Sequence, residues 1–318
     1  MRYNDIRERL FIEVSVLLAS GLSIEASVHK PGTTSPLKPG KDMYHHGFII
    51  ASSMISHAIQ ILMERAYQSS RCTDIGEGVK LLYEYGERIH GMGNLHLGFS
   101  ILITPIALGF VNMYRRYENE DLESLKEALK NIDPLVNESY DYLRVCGKIS
   151  RAKPVLEIIK RISRDKIAIH SGPTPDVFNE GDEESIWNLI VHGRKVDLIL
   201  LELYEKYRRT SMISKELKET LDKDLYKKIF DLFIDLSSSY IDTHIARRKS
   251  FLRAFIYRDS ITYCISLENE EKKDTCIKAL DQILRERNIN PGSIADIIAT
   301  AISLSNLAKH ITHDPANS

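Results

Sequence analysis

Apolar residues recur at intervals of three and four along nearly the whole chain, beginning with Ile6, Leu10, Val14, Leu17 and Leu18. That spacing lines one face of a helix. The same pattern predicts helices over residues 75–90, 122–131, 135–145, 186–207, 225–240 and 276–285. No stretch alternates apolar and polar residues for long enough to read as a strand, and no Asn-Gly or Asp-Gly hairpin turn occurs. A short extended piece at 166–169 is the one exception expected, and 208–215 reads as a helix-to-helix turn. The fold class is all-α: a large multi-helix bundle.

Two long stretches, 43–63 and 89–114, carry no Asp, Glu, Lys or Arg, and 297–308 is a shorter third. Length alone makes the first two candidates for crossing a membrane. Their polar load argues otherwise. The first holds Tyr44, His45, His46, Ser52, Ser53, Ser56, His57 and Gln60; the second holds His90, Asn94, His96, Thr104, Pro105 and Asn112. Such segments fit central helices covered on all sides by other helices. The chain reads as one helical domain, 1–309, with a frayed tail at 310–318.

With 43 basic against 44 acidic residues, the net charge is −1. That balance points to neither nucleic acid nor an anionic membrane as the main partner. The N-terminal stretch places Asp5, Arg7, Glu8, Arg9 and Glu13 where a signal peptide needs an ordered charged and then apolar run, so a cytoplasmic location is expected. Polar outer helix faces are compatible with a homodimer. The four cysteines, Cys72, Cys146, Cys264 and Cys276, form no metal-ligand spacing and read by default as reduced thiols. Only three glutamines occur among many Lys, Glu, Arg and Ile, a bias of hyperthermophile proteins, in which intracellular disulfides also form.

Each uncharged segment follows a loop rich in Gly, Pro and small polar residues. Residues 31–41 lead into Asp42 and the first uncharged helix, Gly91-Met92-Gly93-Asn94 into the second, and Asn290-Pro291-Gly292-Ser293 into the third. A helix N-terminus offers free N–H groups and partial positive charge, which suit phosphate oxygens; the same loops also serve as ordinary helix starts. Asp231, Asp235, Ser238, Ser239 and Asp242 share one side of a continuous helix over 231–248, with Arg247 and Arg248 following closely. Asp231 and Asp235 read as a solvated stripe, whereas Asp242 combines with the arginines as a candidate site. There is no D-D-x-x-D. His45, His46, His57 and His90 read as ordinary core or surface groups, and His29, His96 and His244 carry more weight because they lie in the segments described next.

Four ordered segments resemble the motifs of the triphosphoribosyl-dephospho-CoA synthase family. The first is Glu25-Ala-Ser-Val-His-Lys-Pro-Gly32, continuing through Asp42-Met43 and Phe48 to Ser52. The second is Gly93-Asn94-Leu95-His96-Leu97-Gly98 with Pro105, the third Asp242-Thr243-His244-Ile245-Ala246-Arg247, and the fourth Asn290-Pro291-Gly292-Ser293-Ile294-Ala295-Asp296. Departures are His29 in place of a proline, Thr33 in place of Asn or Leu, and Leu97 in place of a lysine of some members.

The resemblance implies an all-α transferase that moves the 5-triphosphoribosyl group of ATP to the 2′-hydroxyl of 3′-dephospho-CoA, releasing adenine, with Mg²⁺ accompanying ATP. It implies catalytic roles for Glu25, Asp42 and Asp242, with Glu25 the first candidate base. Nucleotide and phosphate contacts fall to Lys30, Gly32, Asn94, His96, Gly98, Arg247, Asn290, Gly292 and Ser293, and metal binding to Asp242 and Asp296. Related transfer to another acceptor, or nucleotide binding without turnover, stays open at this point.

Overall fold

The computed structural model describes residues 3–38, 44–69, 72–90, 95–118, 122–163 and 184–311. Within them the chain forms fifteen α-helices and one short 3-10 helix, with no named strand among the described residues. The first seven helices are α1 (Tyr3–Ser27), α2 (His45–Gln68), α3 (Ile75–His90), α4 (Leu97–Tyr117), α5 (Leu122–Lys130), α6 (Ile132–Cys146) and α7 (Lys153–Ser163). Then come α8 (Ile186–Gly193), α9 (Leu198–Tyr204), α10 (Arg208–Glu219), the 3-10 turn Asp222–Asp224 and α11 (Leu225–Ser239). The chain closes with α12 (Thr243–Arg248), α13 (Phe251–Ser266), α14 (Glu270–Glu286) and α15 (Gly292–His310).

The uncharged segments at 89–114 and 297–308 become α4 and α15, which are buried on nearly every side. α15 packs against α1, α10 and α4, and α4 packs against α6, α2 and α3. Covering each Leu, Ile or Phe on these helices stabilises the fold by about 1.5–3 kcal/mol. Three of their hydroxyls are satisfied within the helix: Thr104 donates to Ser100 O, Thr300 to Asp296 O and Ser303 to Ala299 O. α2 differs from the expected central helix. Ala51, Ile55 and Ile59 face the core, while Ile49, Ser53 and His57 are exposed. Ile6–Ser27, His45–Gln68 and Leu97–Tyr117 are long and apolar enough to cross a membrane by length and composition; 83% of the most apolar window of the last is covered by the protein itself.

Four expectations need correction. The helix over 186–207 is interrupted after Gly193, because the Asp197 side chain accepts the N–H groups of Ile199 and Leu200 and starts a new helix there. Residues 208–215 form the body of α10, and the turn lies before it, where Lys206 and Tyr207 take φ values of 59° and 55°. No continuous helix runs over 231–248: α11 ends at Ser239, an extended Tyr240 follows, and Asp242 caps α12, so Asp231 and Asp242 do not share a helix face. Asp231 instead pairs with Lys227 in solvent. The cysteines are not thiols: Cys72 is bonded to Cys146, and Cys264 to Cys276. The extended piece at 166–169 and the loop at 91–94 lie outside the described residues.

Candidate functional site

The loop after α1 is held from two sides. Lys30 is fully buried, and its ammonium donates to the carbonyls of Glu25 at 2.6 Å and Val28 at 2.7 Å while lying 3.0 Å from Glu25 Oε1. It also lies 5.6 Å from the centre of the Phe233 ring. An ammonium has three N–H donors, and here all three point into the protein. The expected phosphate contact of Lys30 is therefore corrected: it closes the loop and partners Glu25. On the outer side, Gly32 takes φ 78°, a conformation glycine adopts freely, and its N–H donates to Asp281 Oδ1 at 2.9 Å. That donor is committed, so Gly32 is a turn residue and not a phosphate ligand. Asp281 also takes Lys38, His29 and Arg285 as partners, and Arg285 donates to the carbonyls of Thr33 and Lys38. Burial would raise the Asp281 carboxyl, but Arg285, the Gly32 N–H and Lys38 together hold it below the usual carboxylate range. The sequence offers no motif for Asp281; its signal is only the apolar pattern of α14.

Opposite this loop, the starts of α12 and α15 meet. Asp242 is fully buried, and its Oδ1 accepts the N–H of Ile245 at 2.9 Å while Oδ2 accepts that of Ile294 at 3.0 Å. Ser293 answers in reverse: its Oγ accepts the N–H of His244 and lies 3.0 Å from Thr243 Oγ1. Two helix N-termini carry partial positive charge towards each other, and the buried carboxylate between them offsets it. Burial pushes the Asp242 carboxyl up to about 6, against the lowering effect of the N–H groups of Ile294, Ile245, His244 and Ser293. With its oxygens turned to these backbone donors, Asp242 is corrected from metal ligand and catalytic group to helix brace. Ser293 is likewise committed to α12.

Between loop and brace lies a pocket. Glu25, Thr33 and Thr34 line one side, His96, Leu97 and Phe48 another, and His244, Asn290, Gly292 and Asp296 the third. Asp296 lies on α15 with its carboxylate against the Cα of Gly98, the second residue of α4. A Cβ at Gly98 would stand 2.2 Å from Asp296 Oδ2, so only glycine admits the carboxylate there. The Phe99 N–H donates to Asp296, which thereby also takes up the α4 N-terminus. Gly98 is placed to seat Asp296. His96 stacks on Tyr83 with ring centres 5.3 Å apart, and its Nε2 lies 3.2 Å from Tyr83 O, so it presents mainly its ring edge to the pocket.

The pocket's electrostatics are set by its two carboxylates. Burial raises Glu25, against the lowering effect of Lys30. Burial raises Asp296 well above the usual range, and the nearby Glu25 charge adds to it. A cation placed between two such acids would lower the cost of ionising them. His244 is pushed down to about 3 by burial and by Arg248, so it is neutral and able to donate or accept one hydrogen bond. Thr34 is 5% exposed, and its hydroxyl has no hydrogen-bond partner among the described residues. Arg247 pairs with Asp197 and is half-exposed, while its charge also acts on Asp296 of the pocket. Asp42 and Asn94 lie outside the described residues. Thus Glu25, His96, Asn290, Gly292 and Asp296 come together as expected, while Thr33, Thr34 and His244 join them without an assigned role in the sequence reading.

The family model described as ATP:dephospho-CoA triphosphoribosyl transferase (CitG) matches residues 13–314. A crystal structure from Archaeoglobus fulgidus, described as that of a triphosphoribosyl-dephospho-CoA synthase, is similar at a TM-score of 0.56 and 18% identity. The match covers 82% of this chain and 99% of that one. No curated protein matches.

Proposed function

The chain belongs to the family of ATP:dephospho-CoA triphosphoribosyl transferases, and we propose that the pocket floored by Glu25 and Asp296 is where it makes the transfer. The observation that carries this reading is the pair of buried carboxyl groups lining one pocket, both raised by burial, with the Glu25 charge adding to the rise at Asp296. In the reaction a bond forms between the acceptor 2′-oxygen and ribose C1′ of ATP, and the bond from C1′ to adenine breaks. Positive charge builds on the sugar as adenine leaves, and a carboxylate pair in a water-poor site stabilises it.

Glu25 is the base that takes the proton of the acceptor hydroxyl. Its ion pair with Lys30 keeps a cation beside it, so it ionises more readily than burial alone allows. Asp296, seated on Gly98 and held by the Phe99 N–H, faces the anomeric centre and the ribose hydroxyls. Neutral His244, Asn290 and the Thr34 hydroxyl hydrogen-bond the sugar and fix its orientation.

Mg²⁺ fits this pocket in a limited way. The described residues hold no cluster of three or more metal-ligating side chains, but Mg²⁺ commonly uses one or two carboxylates together with substrate phosphates. Asp296 would hold it, with Glu25 nearby, and Asp242 would not. When bound, the ion neutralises charge on the triphosphate.

The test is chromatography of adenine from purified protein with ATP, Mg²⁺ and 3′-dephospho-CoA. Adenine that appears only when both substrates are present supports the proposal. Adenine released from ATP alone, or no adenine at all, contradicts it.

A further inference from the structure

A phosphate-bearing substrate needs a cation, and the two expected from the sequence are already matched within the protein: Lys30 by Glu25 and two carbonyls, Arg247 by Asp197 and the charge of Asp296. A third cation stands beside the pocket. Arg248 is the last residue of α12, four positions after pocket-lining His244 and so on the same helix face. It is half-buried, yet it has neither an ion pair nor a side-chain hydrogen bond among the described residues. Its charge acts on pocket-lining His244, and it also feels Tyr83, the ring on which pocket-lining His96 stacks.

The neighbours of Arg248 do not neutralise it. The Tyr83 hydroxyl donates to Glu87, and the other Glu87 oxygen is taken by Arg161, whose guanidinium lies 5.6 Å from the centre of the Tyr83 ring. The acid beside Tyr83 is therefore already matched by another arginine. The pocket's own acids are met by other groups, Glu25 by Lys30, and Asp296 by the Phe99 N–H and the charge of Arg247. A guanidinium withdrawn from water without a partner costs free energy in the empty protein. A phosphate chain entering beside it restores the missing bonds, in the forked geometry that arginine offers to oxyanions.

We propose that Arg248 binds the phosphate chain of a substrate, opposite the acidic floor that takes the ribose. The pocket is then divided by charge: carboxylates under the sugar, a guanidinium under the phosphates. This rests on the transferase reading above, whose substrates both carry phosphate chains, the triphosphate of ATP and the diphosphate of 3′-dephospho-CoA. The shared chemistry is a chain of phosphate oxyanions, and the test separates its two sources.

The experiment is calorimetric titration of the wild-type protein and of Arg248→Gln and Arg248→Lys with adenosine, ATP and 3′-dephospho-CoA, beside thermal melts without ligand. The wild type is expected to bind ATP more tightly than adenosine. Arg248→Gln loses about tenfold or more for one phosphate-bearing substrate, because a hydrogen-bonded charge is removed, and leaves adenosine unchanged. Loss for ATP assigns the triphosphate, and loss for 3′-dephospho-CoA assigns the diphosphate. Arg248→Lys recovers part of the loss. In the melts Arg248→Gln is at least as stable as the wild type, since the residue it removes has no partner to abandon. Unchanged affinity for both phosphate substrates in Arg248→Gln overturns the inference while leaving the transferase reading intact. A wild type that binds neither substrate overturns both. A clear fall in melting temperature for Arg248→Gln also counts against it, by showing an internal structural role.

Discussion

Asp242 Oδ2 accepts the N–H of Ile294 at 3.0 Å, and this one bond ties together two helix starts 52 residues apart in sequence. The other oxygen caps α12 itself through Ile245. A motif that reads as metal-binding chemistry braces two helix starts, and the proposed catalytic roles rest on Glu25 and Asp296.

Removing the brace destabilises the fold. Asp242→Ala leaves buried backbone donors at both helix starts without acceptors, at roughly 1–3 kcal/mol each. Urea denaturation should show a loss of about 2–5 kcal/mol in unfolding free energy. A loss below 1 kcal/mol would contradict the brace.

The same residue gives a pH dependence of known sign. Its folded value of about 6 lies above the ordinary carboxylate value of about 4. The folded state therefore holds its proton more strongly, and the stabilisation is fully present below pH 4 and lost as pH rises through 6. Between pH 4.5 and 7 this one group removes roughly 2 kcal/mol of stability. Unfolding midpoints for Asp242→Asn across that window should fall less steeply than those of the wild type. Parallel curves would count against the shift.

Lys30 is a structural cation, so Lys30→Ala should act on folding before it acts on substrate affinity. It strands a buried Glu25 and two carbonyls, and breaking a buried pair costs about 3–5 kcal/mol. The melting temperature should drop by several degrees. A variant with wild-type stability and a raised KM for ATP would restore the phosphate role to Lys30.

Gly98→Ala probes the seat of Asp296. The added Cβ stands 2.2 Å from Asp296 Oδ2, so the carboxylate has to move while the backbone of α4 accepts alanine readily. The expected outcome is a folded protein whose kcat for adenine release falls tenfold or more. Unchanged turnover would show that the position of Asp296 is not critical.

The two disulfides differ in what they close. Cys72–Cys146 spans 74 residues and Cys264–Cys276 spans 12. Loop entropy makes them worth roughly 4 and 3 kcal/mol. Thiol titration of the denatured, unreduced protein should find no free cysteine, and Cys72→Ser should cost more than Cys276→Ser.

The helices were legible because their apolar spacing is regular; α3, α5, α6 and α11 start or end within a few residues of where that spacing places them. The break after Gly193 was not, because apolar residues continue on both sides of it and only the Asp197 cap marks it. The site was legible as a set of segments, since its loops and helix starts need glycine, proline and small polar residues. The roles inside it were not. A lysine beside Pro31 and Gly32 looks the same in sequence whether its donors face a ligand or the carbonyls of Glu25 and Val28. Asp242 and Asp296 each head a helix motif, and only the packing of α12 on α15 and of α15 on α4 turns one inward and leaves the other facing the pocket.

The most direct test of the central claim is single-turnover adenine release by Asp296→Asn, with ATP and 3′-dephospho-CoA saturating and the fold checked by thermal melting. The amide keeps the size of the side chain but cannot ionise as positive charge develops on the ribose. The account predicts a rate lowered a hundredfold or more, with ATP affinity within severalfold of wild type and melting temperature unchanged or raised, because a costly buried acid is gone. A rate within twofold of wild type would contradict the assignment of the chemistry to this carboxylate pair.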